Sequence, residues 1–111
     1  MKKITAGRDA MQTFAPQFAH LNDDVLFGEV WSREALLSPR DRSLITVSAL
    51  MASGILNDSL LHHIQMAKEN GVTQTEMAEA LTQLAFYAGW PKAWEALRMA
   101  KRVYQDEKKE A

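Results

Sequence analysis

His63 is the side chain here best suited to hand over a proton near neutrality, since a free imidazole titrates near ~6.5. Its other reading is a histidine at the surface or packing a helix face. His62 points about 100° away round a helix, and His20, the remaining histidine, has ligand spacing to neither. No metal site is therefore expected. Glu29 sits among Phe27, Val30 and Trp31. Burial there would raise its pKa and make it a second proton carrier; exposure or pairing with an arginine is the alternative. Arg40 and Arg42 can each grip a carboxylate through paired hydrogen bonds. On a helix they face about 200° apart, so one of them serves a given site. Arg42 is preferred, and ion pairs with Asp41, Glu34 or a neighbouring subunit are the competing use. Trp90, with Trp31, Trp94, Phe86 and Tyr87, can wall a pocket or form core and subunit interface.

The elements that must position these groups read as helices. Ser38-Pro39-Arg40-Asp41 has a capping serine, proline at the first helical position and an acid at the third. The helix it opens runs to Ser53 and stops at Gly54. It is apolar nearly all round from Leu44 to Ala52, which predicts a central, buried helix. Asn57 caps a second helix, ended by Asn70-Gly71. Thr73-Gln74-Thr75-Glu76 is a capping box, followed by Met77, Leu81, Leu84 and Ala85 on one helical face. Gly89-Trp90-Pro91 breaks the chain, and a last helix carries Trp94, Leu97, Ala100, Val103 and Tyr104 before the charged stretch Asp106–Ala111, which is expected to fray. Nearer the start, Phe14-Ala15-Pro16 separates a short amphipathic piece from a helix over Phe18 to Trp31. No strand pattern or repeat occurs. The fold class is all-α: a five- to six-helix antiparallel bundle forming a single domain over residues 1–111.

Composition narrows the function. A net charge of −1 gives no general attraction to nucleic acid or anionic membrane. The Lys and Arg residues from Lys92 to Lys109 alternate with acids and read as a solvated face, and nothing resembles a nucleic-acid module. No phosphate-binding glycine loop is present. No stretch is long and apolar enough to span a bilayer. Met1-Lys2-Lys3-Ile4-Thr5 could start a signal peptide, but Arg8, Asp9, Gln12 and Gln17 interrupt any apolar core after it. The absence of cysteine removes disulfides, thiolate nucleophiles and Cys-based zinc sites. A cytoplasmic location is expected.

Four strings occur in order: Phe27-Gly28-Glu29-Val30-Trp31-Ser32-Arg33, Ser38-Pro39-Arg40-Asp41-Arg42-Ser43-Leu44, His63-Ile64-Gln65-Met66-Ala67 with Asn70-Gly71-Val72-Thr73, and Leu84-Ala85-Phe86-Tyr87-Ala88-Gly89-Trp90-Pro91. Over roughly Phe18 to Tyr104 the chain resembles the carboxymuconolactone decarboxylase family. The resemblance implies an alkylhydroperoxidase-like fold and a ring-shaped homo-oligomer, a trimer or hexamer. It implies cofactor-independent removal of a carboxylate from a small lactone of aromatic catabolism, with no metal and no other cofactor. The alternatives are a related enzyme on another lactone or keto acid, and a non-catalytic oligomer that binds a partner. The alkylhydroperoxidases of this fold use a C-x-x-C pair before a histidine and an earlier glutamate. Here the histidine matches His63, the cysteine region falls on Ile55 to Ser59 and the glutamate near Ser43. That activity is not carried over, because no cysteine is there.

Overall fold

The computed structural model describes residues 3–110, with side chains through Gln105. Met1 and Lys2, and the side chains on which fraying of Asp106–Ala111 would be judged, lie outside the described residues. Every regular element among those described is helical: α1 (Ala6–Met11), α2 (Pro16–His20) running on into a π-helical segment (Leu21–Val30), α3 (Pro39–Ala52), α4 (Asp58–Glu69), α5 (Gln74–Ala88) and α6 (Trp90–Glu110). The all-α, alkylhydroperoxidase-like class expected from the sequence is the one found. The chain forms two compact units, one ending at Pro39 and one beginning at Arg40.

In the first unit the helix expected from Phe18 to Trp31 starts two residues earlier, at Pro16, and widens after His20. The wider winding shows in the Trp31 N–H, which donates to the Leu26 carbonyl five residues back at 2.9 Å. Gly28 suits this winding, since a Cβ there would sit 3.3 Å from the Asp23 carbonyl oxygen. The unit is held by Asp23, whose buried carboxylate accepts from Gly7 N–H (2.8 Å), Arg8 N–H (2.9 Å), the Arg8 guanidinium and Asn22. Burial opposes its ionisation, but the bonds from Asn22, Arg8 and Gly7 outweigh that and carry its pKa below the usual carboxylate value. Gly7 must be glycine, because a Cβ would lie 2.7 Å from Asp23 Oδ1 and 2.9 Å from the Ala19 carbonyl. Arg8 also grips Asp24 through both terminal nitrogens.

In the second unit a few long-range hydrogen bonds give the helix directions. Asn70, after α4, donates to Ser43 at the start of α3 at 2.9 Å. Lys92, at the start of α6, donates to the Ala52 carbonyl at the end of α3 at 3.0 Å. Tyr104, late in α6, donates to the Val72 carbonyl just before α5 at 2.7 Å. Consecutive helices are therefore antiparallel, in an up-down-up-down order. The Asn57 side chain caps α4 through the Ser59 N–H, and both bonds of the Thr73–Glu76 capping box form. The α5–α6 turn rests on Gly89 at φ +126°, a backbone angle that L side chains rarely adopt.

The expectation that α3 is the central buried helix needs correction. Only one of its faces is buried, along Ser43, Val47 and Met51, and Ile45 is 58% exposed. It is α6 that packs against both α5 and α4. An apolar circumference permits full burial but cannot supply the neighbours. Here the packing covers the Ser43, Val47 and Met51 face and leaves Ile45 and Ala49 outside. The core is Val47 and Met51 with Leu60, Ile64, Met77, Leu81 and Ala96.

Candidate active site

α4 sets the position of His63. Leu60, Ile64 and Ala67 form its buried stripe, and His63 lies beside that stripe, half-buried. Its Nδ1 is buried and has no hydrogen-bond partner among the described residues. Buried ring nitrogens are ordinarily satisfied, so this atom is the unusual feature of the unit. His62 is exposed and meets the His63 ring edge-on, with centroids 5.2 Å apart at 74°. Burial lowers the His63 pKa from its ordinary value, and the nearby His62 charge lowers it further. His63 is thus predominantly neutral at pH 7. Its protonated form is scarcer than that of a free histidine, and a stronger acid.

Arg40 bonds to Asp41 at 2.9 Å and pairs with Glu76. Glu76 already closes the α5 capping box with Thr73. The Thr73 N–H is the first cause holding the Glu76 carboxyl below its usual pKa; burial opposes it, and the Thr73 side chain and Arg40 add to the lowering. Arg40 therefore ties the start of α3 to the start of α5. Arg42 is half-buried one residue before Ser43. Since Asn70 bonds Ser43, Arg42 lies at the Asn70 end of α4, and His63 stands ~10 Å further along that helix.

Trp90 opens α6 at the opposite end of the bundle, near Ala52, which lies ~15 Å along α3 from Arg42. Phe86 packs edge-on against it, with centroids 5.7 Å apart. Trp90 and Trp94 are each 55% exposed, and Phe86 and Tyr87 are more exposed still. One chain by itself therefore does not bring Trp90 to Arg40 or Arg42, and His63 lies between the two ends. Glu29, expected among buried apolar neighbours, is exposed. Its neighbours Phe27 and Trp31 turn inward and stack on each other, while the winding of the segment turns Glu29 out. Among the described residues no three His, Asp or Glu side chains gather as a metal site, and no helix is long and apolar enough to cross a membrane.

Two features were not foreseen as a site. One is the unsatisfied Nδ1 of His63, since pairing cannot be read from residue type. The other is a groove between α5 and α6 in which Arg98 and Lys101, expected on a solvated face, stand beside Trp90 and Trp94. Their i, i+4 and i, i+7 spacing along α6 was the available signal.

The groups present are a half-buried histidine, arginines at the bundle's end and exposed indoles, and comparison with other proteins agrees with the resemblance. The profile of the Carboxymuconolactone decarboxylase family matches residues 16–102, and the chain belongs to that family. It is 35% identical over 106 residues to the 4-carboxymuconolactone decarboxylase of Acinetobacter baylyi, covering 95% of this chain and 77% of that protein. It is 30% identical to an uncharacterised 15.0 kDa protein of Paracoccus denitrificans, over 91% of this chain and 75% of that one. It is 32% identical over 80 residues to the nitrosuccinic acid decarboxylase of Metarhizium robertsii, covering 72% of this chain and 54% of that protein.

Proposed function

We propose that the chain is a cytoplasmic, cofactor-independent decarboxylase of the 4-carboxymuconolactone type, with His63 as its proton donor. The observation that carries this reading is the buried His63 Nδ1 with no partner among the described residues. A packing histidine would have its nitrogens satisfied or in water. Family membership and two relatives named as decarboxylases support the reaction class.

In such a reaction the bond between a ring carbon and its carboxylate breaks and CO₂ leaves. The electron pair passes through the conjugated double bond to the lactone carbonyl oxygen, giving a dienolate. His63 then delivers a proton to the carbon beside that carbonyl, and the neutral imidazole is reprotonated from water. Arg42 holds a carboxylate that is kept, and Arg40 does so in its place if it leaves Glu76. Trp90 supplies an apolar wall that leaves the departing carboxylate poorly solvated. Glu29 serves as a second proton carrier only if an assembly buries it.

In this reading the site is completed by a second copy. The separation of Trp90 from Arg42 within one chain supports this, as do the exposed aromatics of α5 and α6 and the exposed side of α3. The assembly is a homo-oligomer, a trimer or hexamer. The test is CO₂ release from 4-carboxymuconolactone by the purified chain, with nitrosuccinate assayed beside it. Turnover of the lactone is expected. Turnover of nitrosuccinate alone would move the substrate class, and turnover of neither would count against the reading. Sedimentation as a monomer at micromolar concentration would contradict the shared site.

A further inference from the structure

The decarboxylase reading takes Trp90 from the α5–α6 groove as an apolar wall but leaves its two cations, Arg98 and Lys101, unused. It encloses roughly 400 Å³, within the range of small-ligand sites (about 300–1,000 Å³). Its floor is Ala85, Ala93 and Leu97, with Ala85 and Ala93 buried. Short side chains there let a flat body lie close to the two helices. Trp90 and Trp94 form its aromatic side. Phe86 packs edge-on against Trp90 and restricts its ring. The Arg98 guanidinium lies over the Trp94 ring, 5.3 Å from its centroid, a cation–π arrangement.

The charge in this groove has one sign. None of its lining residues is acidic, while both Arg98 and Lys101 line it. Glu95 holds Arg98 at 3.2 Å but is not part of the lining. Lys101 has no hydrogen bond or ion pair among the described residues. An apolar slot with indole faces on one side and two cations at its rim complements a flat, unsaturated ring that carries a carboxylate. The ring replaces water on the indoles and alanines, and the carboxylate meets the cations.

We infer that the α5–α6 groove is a binding site for a planar aromatic or unsaturated monocarboxylate, with Trp90 and Trp94 taking the ring and Lys101 and Arg98 the carboxylate. This needs no turnover and does not depend on the role of His63. The probe is benzoate, with benzamide as its neutral counterpart, titrated at fixed ionic strength. The readout is the indole N–H resonances of the three tryptophans. Saturable shifts of Trp90 and Trp94, with Trp31 unmoved, are expected for benzoate. Benzamide is expected to bind about two- to fivefold more weakly, and Lys101→Met to weaken benzoate by a similar factor, the worth of a solvent-exposed charge contact. Lys101 is exposed, so the variant should fold, and circular dichroism checks it. Equal binding of benzoate and benzamide, an unchanged affinity in Lys101→Met, or shifts confined to Trp31 would overturn the inference. So would silent Trp90 and Trp94 resonances, including the case where Trp94→Glu splits an oligomer into monomers and shows the groove to be a contact between copies.

Discussion

The end of the bundle where α3 and α5 begin differs from the stretch that runs from His63 to Trp90 in how its polar groups are partnered. At the first, Asn70 serves Ser43, Arg40 serves Glu76, Glu76 and Thr73 serve each other, and Tyr104 serves Val72. At the second, a buried imidazole nitrogen has no partner among the described residues and large aromatic side chains face outward. Groups that satisfy one another inside the chain hold the fold. A buried nitrogen with no partner among the described residues adds no hydrogen bond to the fold. The contrast separates Arg40, whose bonds explain its position, from His63, whose bonds do not.

The comparison can be broken or sharpened by substitution. The largest effect on stability is expected from the core that both regions share. Leu60→Ala removes a fully buried side chain one turn from His63 and should cost about 2–5 kcal/mol in chemical denaturation. His63→Leu is the informative partner to it. If the imidazole does nothing for the fold, this variant should be as stable as the parent or more so. A loss as large as that of Leu60→Ala would show His63 to be structural. Asn70→Ala should cost about 1–3 kcal/mol by leaving the buried Ser43 hydroxyl without its donor. Tyr104→Phe, which takes one hydrogen bond from the Val72 carbonyl, should cost about 1 kcal/mol.

The smallest effect is one of pH. The folded-state pKa of Glu76 is lowered, so its contribution is present above the ordinary carboxylate pKa and is lost as pH falls through the lower, folded value. Melting temperature followed from pH 6 to pH 3 should therefore fall less steeply in Glu76→Gln than in the parent. Equal slopes would mean that the ionised Glu76 carboxylate, with Thr73 and Arg40 together, contributes nothing to this end of the bundle.

Much of this architecture was legible in the residues. Pro39, Asn57, the Thr73–Glu76 box and Gly89 mark helix ends through local backbone chemistry, and each lies where that chemistry puts it. The π-helical winding of Leu21–Val30 was not legible, because no cap or residue pattern marks bonds five residues back, and the hold of Asp23 on Gly7, sixteen residues away, is a tertiary contact. The centrality of α3 was misjudged for a similar reason: apolar residues on every side show what a helix tolerates, not which neighbours it has. At the candidate site the histidine could be picked out from type and family pattern. Its missing partner, the commitment of Arg40 to Glu76 and the distance of Trp90 from both arginines arise from packing between helices.

The most direct test of the central claim is kcat/KM for decarboxylation of 4-carboxymuconolactone as a function of pH, in the parent and in His63→Ala. A proton donor with a lowered pKa is populated only at lower pH. The parent's rate should therefore be highest on the acid side and fall as pH rises through a value below ~6.5. His63→Ala should be slower by roughly 10²–10⁴-fold and lose that limb, with its fold intact. A His63→Ala protein that retained the parent's rate and pH profile on a substrate the parent turns over would contradict the assignment.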